Sequence, residues 1–264
     1  LSQDSSVEIT VITTTYNGLP FLTDAIKSVL SQTFTGFEYI IVDDGSTDGT
    51  SEVVSGIRDP RIRYIKCERV GRSAALNHAL REAPSTYIAN LDADDWMLPE
   101  RLSKQKAFLD ANRDVGLVGS AYYRRNQEGE DMLITLPLDD ANLRQRLFTG
   151  YPFAHSAVTY RRTALMRVNG FDESLPCAID YDICTRLTQH TRLANLSDPL
   201  TVRRIHKQNY FIQRITPIQY ISALVRIKWR YWRIAGSPLA ALPKVLYSIL
   251  LNGVHKWKQR WQLH

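Results

Sequence analysis

Residues 86–95 read TYIANLDADD, a short apolar run that closes on three carboxylates within four positions. Residues 37–46, FEYIIVDDGS, show the same pattern upstream. A brief run of apolar, β-branched and aromatic residues, stopped by a Gly- or Asp-rich turn, reads as a buried strand. Working outward, strands are predicted over 7–15 (VEITVITTT), 37–42, 61–66, 86–91 and 115–120. Helices are predicted between them. The first, 21–32, has Leu22, Ala25, Ile26, Val29 and Leu30 at helical spacing; the second, 47–57, has Ser46 or Thr47 as its cap; the others cover 73–82 and 100–112, the last entered through Pro99. This alternation predicts an α/β fold with a doubly wound, mostly parallel sheet flanked by helices. Ligands of such sheets bind outside the carboxyl ends of the strands, where both acidic runs fall. Further along come a polar loop at 126–131, a strand at 157–161, a turn at Asn169–Asp172, a helix at 180–188 with Ile183, Cys184 and Leu187 inward, and a strand at 200–205.

The chain has 264 residues, 44% of them apolar, which is enough for one sizeable domain and a short extension. Cys67, Cys177 and Cys184 give neither a disulfide framework nor a zinc spacing. No run of about 18 apolar residues predicts a spanning helix, and residues 1–10 lack the apolar core of a signal peptide, so a cytoplasmic chain is expected. The net charge of +6 is unevenly spread: residues 199–264 carry twelve Lys and Arg with no Asp or Glu, while residues 1–198 carry 21 basic against 27 acidic residues.

Asp92, Asp94 and Asp95 repel one another, so the run needs a cation or basic partners. Oxygen ligands suit Mg²⁺ or Mn²⁺, commonly held by one or two carboxylates together with substrate phosphates. The plainer alternative is a solvated loop in which Asp95 caps the next helix. In Val42–Gly49 one carboxylate can accept a hydrogen bond from a nucleobase or ribose, or the turn can simply cap the next helix.

Taken in order, TVITTTYNG (10–18), IIVDDGSTDGT (40–50), GRSAALNHAL (71–80), YIANLDADD (87–95), GFDESLPCAIDYDICTRL (170–187) and RRIH (203–206) resemble glycosyltransferase family 2, over about residues 7–210. The resemblance implies a GT-A fold, with residues 1–215 as the nucleotide-sugar-binding catalytic domain. It implies a metal-dependent, inverting transfer from a nucleotide diphosphate sugar, with uridine the expected base, to a saccharide hydroxyl, and Mn²⁺ or Mg²⁺ as cofactor. By the same resemblance Thr14 and Tyr16 would line the nucleotide pocket and Asp44 would bond the base. Arg72 would lie near base or diphosphate and Asp92 near ribose or sugar. Asp94 would ligate the metal, His206 would contact metal or diphosphate, and Asp180 would be the catalytic base. Asp182 stays open as an alternative base, and His155 as a lining residue of the acceptor cleft. The chain departs from the family at Ile179, where Glu is usual, and at Leu76, where Ala-Arg-Asn would place an arginine; Arg72 is the candidate to compensate. The Gln-x-x-Arg-Trp motif of processive synthases is absent.

Residues 216–264 read as basic amphipathic helices. Ile218, Ile221, Val225, Trp229 and Trp232 share one face, with Lys228, Arg230 and Arg233 interspersed; a second helix offers Leu242, Leu246, Ile249, Leu250 and Trp257 beside Lys256, Lys258 and Arg260. Such helices suit an anionic membrane surface, here the inner face of the cytoplasmic membrane, and a lipid-linked saccharide acceptor. The competing reading packs these faces on the catalytic domain or a partner subunit. Rival functions are a catalytically impaired scaffold, supported by Ile179, a nucleotidyltransferase, and a nucleic-acid-binding protein using the basic tail. The negative charge of residues 1–198 and the missing nucleic-acid motif argue against the last, so no nucleic-acid partner is expected.

Overall fold

The structure, a computed structural model, describes residues 7–206, 214–236, 243 and 245–251. β1 (Ile9–Thr15), β2 (Phe37–Asp43), β3 (Ile62–Lys66) and β4 (Tyr87–Asn90) form a parallel half-sheet in the order β3-β2-β1-β4. Both faces are covered over β1, β2 and β4, which is why nearly all their residues are buried rather than alternating, whereas the edge strand β3 stays half-buried to exposed. Ile9, Val11, Tyr39, Ile41, Tyr87 and Ala89 point to one face, where they meet α1 (Leu19–Leu30), α2 (Thr50–Ser55) and α4 (Arg101–Ala111). Ile12, Ile40, Val42 and Ile88 point to the other, against α3 (Arg72–Glu82) and the later helices α5 (Asp140–Leu147), α6 (Arg162–Arg167) and α7 (Ile179–Leu187).

Beyond β4 the sheet becomes mixed. β8 (Thr159–Arg161) lies antiparallel between β4 and β6 (Val115–Arg125), and β6 pairs in parallel with β9 (Arg192–Arg204). β5 (Trp96–Met97) closes the far edge antiparallel to β9, and β7 (Asp131–Ile134) forms a hairpin with β6. The parallel continuation expected from strand–helix alternation therefore stops at β4. The chain reaches β8 through a 3-10 turn, His155–Ala157, from the carboxyl side of β4, so β8 can only run backwards along it. That entry puts the 155–157 turn at the sheet's carboxyl edge.

Elements not expected from sequence are polar or short. α5 buries only Leu143 and Leu147 and is capped by Asp139, which accepts from the Asn142 N–H. α6 has six residues, and β7 occupies part of the expected polar loop on an exposed edge. Two predicted caps are corrected. α2 begins after Gly49, with Asp48 accepting from the Thr50 N–H, while Ser46 and Thr47 bond instead to Asn17. Asp95 does not cap α4, which follows Glu100 with no side-chain cap bond.

The last long helix, α8 (Pro217–Ile234), opens with a capping box between Thr216 and Gln219. Ala223, Leu224, Ile227 and Tyr231 join the same core as α7. Lys228 is buried too, its ammonium satisfied by the Phe148 and Thr149 carbonyls and by Ser248 Oγ at 3.2, 3.1 and 2.6 Å. The helix thus packs on the domain mainly through residues outside the predicted apolar face. Of that face Ile218, Val225 and Trp229 are 80%, 47% and 52% exposed, while Ile221 packs against the core. Leu246 and Leu250 are also exposed and Ile249 is buried. Leu242, Lys256, Trp257, Lys258 and Arg260 lie outside the described residues. Among the described residues no helix is long and apolar enough to cross a membrane.

One buried cation joins the halves. Arg101 on α4 is 0% exposed. It donates to the Asn90 carbonyl at 2.8 Å, to the Val158 carbonyl at 2.9 Å and to the Ser156 carbonyl, and its Nε–H reaches Gln105 Oε1 at 3.1 Å. Gln105 in turn donates to the Ala157 carbonyl at 2.7 Å. Burial pushes the guanidinium pKa down to about 9, with Asp92 and Asp95 opposing the fall. An Arg101→Leu chain loses four hydrogen bonds from a charged donor, at about 1.5–3 kcal/mol each, although the Val158 carbonyl keeps the Asn90 N–H and the Ser156 carbonyl a longer bond from the Thr201 hydroxyl. We expect it to lose about 3 kcal/mol or more in urea unfolding at unchanged m-value; a loss below about 1 kcal/mol would contradict this role.

Candidate active site

The carboxyl ends of β1 and β2 knit into one rim. Asp43 is consumed by the rim itself, accepting from the Ser46 N–H at 2.8 Å and the Tyr64 hydroxyl at 2.6 Å. Asp44 accepts the Gly71 N–H on both oxygens at 3.1 Å, which ties the β2 turn to the start of α3. Thr14 is half-buried near the end of β1, and the Tyr16 ring beyond it carries the Arg69 guanidinium 3.2 Å above its centroid. Arg69 holds φ +41° and Asn17 φ +51°, left-handed conformations that non-glycine residues seldom adopt. Thr14, Tyr16 and Asp44 thus all lie along one edge, with Arg69 as an addition the sequence did not single out.

The next group gathers round Asp92. Arg72, the first residue of α3, forms an ion pair with Asp92 and donates to His155 Nδ1 at 2.8 Å. Burial pushes the Asp92 pKa up, but Arg72, His155 and Arg203 together outweigh it and hold the carboxyl well below the ordinary range. Arg72 itself is raised: desolvation pulls it down, and Asp92, Asp180 and Asp94 together outweigh that. Leu76, where an arginine was expected, is 2% exposed in the core. His155 is buried beneath Arg72 and Asp92, not free to line a cleft wall.

Asp94 and Asp95 diverge. Asp94 Oδ2 lies 2.9 Å from His206 Nε2, and the His206 ring packs on Phe21 with centroids 4.3 Å apart. Asp95 is buried, accepts from the Ser156 hydroxyl and takes the Arg204 N–H at 2.8 Å. Burial, and then the Asp94 charge, raise its pKa to about 8. Asp92, Asp94 and Asp95 each offer an oxygen, all within 4.8 Å of one another. The donor set suits a hard divalent cation. Neighbouring ligands of an octahedral ion with bonds of about 2.1 Å stand about 3.0 Å apart, close to the Asp94–His206 spacing. Asp95 fits least, being already engaged by the Ser156 hydroxyl and the Arg204 N–H.

α7 approaches from the opposite side. Its first turn follows Ala178, at φ +56°. The preceding turn is clasped to α3: Asn77 donates to the Phe171 carbonyl at 2.9 Å and accepts its N–H at 2.8 Å. Gly170, at φ +64°, has no room for a Cβ, which would collide with Asn77 Oδ1. Two motifs far apart in sequence therefore fix the base of α7. Asp180 is half-buried, bonds only locally to the Tyr181 N–H, and its charge is felt by Arg72, Tyr151, Tyr160 and Tyr220. Asp182 is 0% exposed and paired with Arg186 at 2.7 Å and Arg230 of α8 at 2.6 Å. Of the two acids only Asp180 turns towards the Arg72 cluster; Asp182 is a bolt between helices.

The comparisons agree with this architecture. A model of the family described as glycosyl transferase family 2 matches residues 10–173. EpsE of Bacillus subtilis (strain 168), named as a glycosyltransferase, is 34% identical over 173 residues, covering 64% of this chain and 61% of its own. The chain spans 61% of the length of EpsE and as little as 20% of the other curated relatives it matches. The solved structure of residues 1–349 of S. aureus TarS in complex with UDP-GlcNAc superposes with a TM-score of 0.71 at 19% identity, covering 91% of this chain and 79% of that one. The mannosyltransferase PcManGT of Pyrobaculum calidifontis, in complex with GDP-Man and Mn²⁺, gives 0.68 at 21% identity, covering 98% and 74%. At these identities the structural likeness speaks to the fold.

The different surroundings of the α7 acids give a test. Asp182→Ala strands two buried or half-buried guanidinium groups and is expected to cost about 3–5 kcal/mol in chemical unfolding. Asp180→Asn should stay within about 0.5 kcal/mol of the parent. Equal losses would refute the division of roles.

Proposed function

The chain belongs to glycosyl transferase family 2 and has its GT-A fold, and from that premise we propose that it is an inverting, divalent-metal-dependent glycosyltransferase. The observation that carries the proposal is the Arg72 guanidinium, paired with Asp92 and within electrostatic reach of Asp94 and Asp180, acids brought by two different segments. Such a cluster holds a diphosphate on one side and a proton acceptor on the other. The donor is a nucleotide diphosphate sugar. Its base lies along Thr14, Tyr16 and Asp44, and Asp44 accepts a base N–H. Uridine is our reading, in keeping with the UDP-GlcNAc of TarS; the GDP-Man of PcManGT is the nearest competitor. Arg72 contacts the diphosphate, and Asp92 orients ribose or sugar while pinning Arg72. Asp94 and His206 would hold the cation, Mn²⁺ or Mg²⁺, and when bound it offsets charge on the leaving diphosphate.

Asp180 takes the proton from the acceptor hydroxyl as general base. Attack on the anomeric carbon from the face opposite the diphosphate, through an oxocarbenium-like state, inverts the configuration. We expect Asp180→Asn to lower turnover of the sugar donor by about 10²–10⁴-fold, with nucleotide affinity kept within about twofold. An Asn variant of unchanged rate would remove Asp180 from this role. A wild-type chain that binds nucleotide but turns over no donor would favour the scaffold reading.

For the acceptor we propose a lipid-linked saccharide, reached from an anionic bilayer on the inner face of the cytoplasmic membrane. Ile218, Val225 and Trp229 stand outward on α8 beside the exposed Arg226 and Arg233, the composition that suits an interfacial helix. On this reading 216–264 is an extension whose helix α8 both packs on the domain and presents an outer face. Vesicles with about 30% phosphatidylglycerol should float the wild type and fail to float Ile218→Ser/Trp229→Ser; each arginine in contact adds about 1 kcal/mol. Equal flotation of both would refute membrane docking through α8.

A further inference from the structure

The 155–157 turn is absorbed by none of the roles above, yet its first residue touches the centre of the site. We propose that His155 is a positioning residue: together with Asn90 it sets which edge of Arg72 faces the donor diphosphate. The proposal rests on the donor reading given above.

The hydrogen assignment follows from the chemistry of arginine. A guanidinium only donates, so His155 Nδ1, 2.8 Å from Arg72, is the bare nitrogen; its longer 3.2 Å approach to Asp92 Oδ1 then carries no hydrogen, because the same Arg72 terminal nitrogen donates to both atoms. The ring hydrogen then lies on Nε2. The Asn90 amide stands with Nδ2 against Nε2 at 2.5 Å; turned over by 180°, it offers the ring N–H its Oδ1, an acceptor that otherwise has no partner. Asn90 is itself fixed, because its carbonyl accepts from buried Arg101 at 2.8 Å. The ring is buried and packs edge-on against Phe171 at 6.2 Å, so it has little freedom to turn.

The consequence falls on Arg72. The terminal nitrogen that bonds His155 also bonds Asp92, and these two bonds use both of its hydrogens. The outward edge, formed by the Nε–H and the other terminal nitrogen, is what remains for a ligand, and the side chain is 45% exposed. That edge is the planar fork that matches phosphate oxygens. With His155 absent, Asp92 alone holds the guanidinium, which can then rotate about that one contact and present either edge.

Calorimetry with UDP and UMP in the presence of Mn²⁺ tests this, because UMP lacks the β-phosphate but keeps the base and ribose contacts. His155→Leu should weaken UDP by about tenfold and UMP by less than twofold, and His155→Gln, which keeps an acceptor, should restore most of the UDP affinity. In an Arg72→Ala background His155→Leu should cost nothing further. If His155→Leu does not fold, Asn90→Ala carries the test, with UDP weakened about threefold and UMP unchanged. Equal weakening of UDP and UMP, no weakening of either, or independent costs of the Arg72 and His155 substitutions would overturn the positioning role. A folded wild type that binds neither nucleotide would overturn the donor reading first, and this role with it.

Discussion

Mutual repulsion among Asp92, Asp94 and Asp95 is the constraint that organises this molecule. Two unit charges about 4 Å apart repel by about 4 kcal/mol at an effective dielectric of 20, and three crowd one loop. The structure handles each acid differently. Asp92 is paired with Arg72 and stays ionised. Asp95 is buried under Ser156 and the Arg204 N–H, and near neutral pH it keeps its proton. Asp94 faces His206. Neighbouring carboxyl groups whose pKa values are driven apart are a mark of sites that do chemistry.

Every partner in that arrangement comes from a different element, so the loop also explains the topology round it. Arg72 begins α3, Arg204 and His206 end or follow β9, and Ser156 sits in the 3-10 turn before β8. The antiparallel entry of β8 brings that turn to the carboxyl edge of β4. Arg101 and Gln105 hold it there from below through backbone carbonyls. The Asn77–Phe171 clasp does the same for α7. The cleft is thus rigid at its floor, and the left-handed residues Asn17, Arg69 and Ala178 sit where chain segments turn to face it.

The legible parts of this in the sequence were those in which one local rule carries the information. Apolar runs gave β1, β2 and β4, the last two followed by the acidic runs at 43–44 and 92–95, and the helical spacing of Ile183, Cys184 and Leu187 gave α7. The antiparallel insertion of β8 was not legible, because three residues carry no periodicity and their partner is far away in the chain. Arg101 read as an ordinary polar position on a helix, since nothing local says that its guanidinium is buried. His155 looked like a cleft lining for the same reason: its neighbours Arg72, Asn90 and Asp92 meet it only in three dimensions. On α8 the apolar stripe was visible, but its orientation was not. The domain took the stripe of Ala223, Leu224, Ile227 and Tyr231 and left much of the other outside.

The account stands on a cation held by Asp94 opposite His206, beside a diphosphate held by Arg72. The most direct measurement is calorimetric binding of UDP, GDP, dTDP and CDP to the wild type and to Asp94→Ala, each with and without Mn²⁺. The account predicts that one nucleotide binds at least about tenfold more tightly with Mn²⁺ and that Asp94→Ala abolishes this gain while leaving the metal-free affinity in place. Metal-independent binding, or a gain that survives in Asp94→Ala, would contradict it.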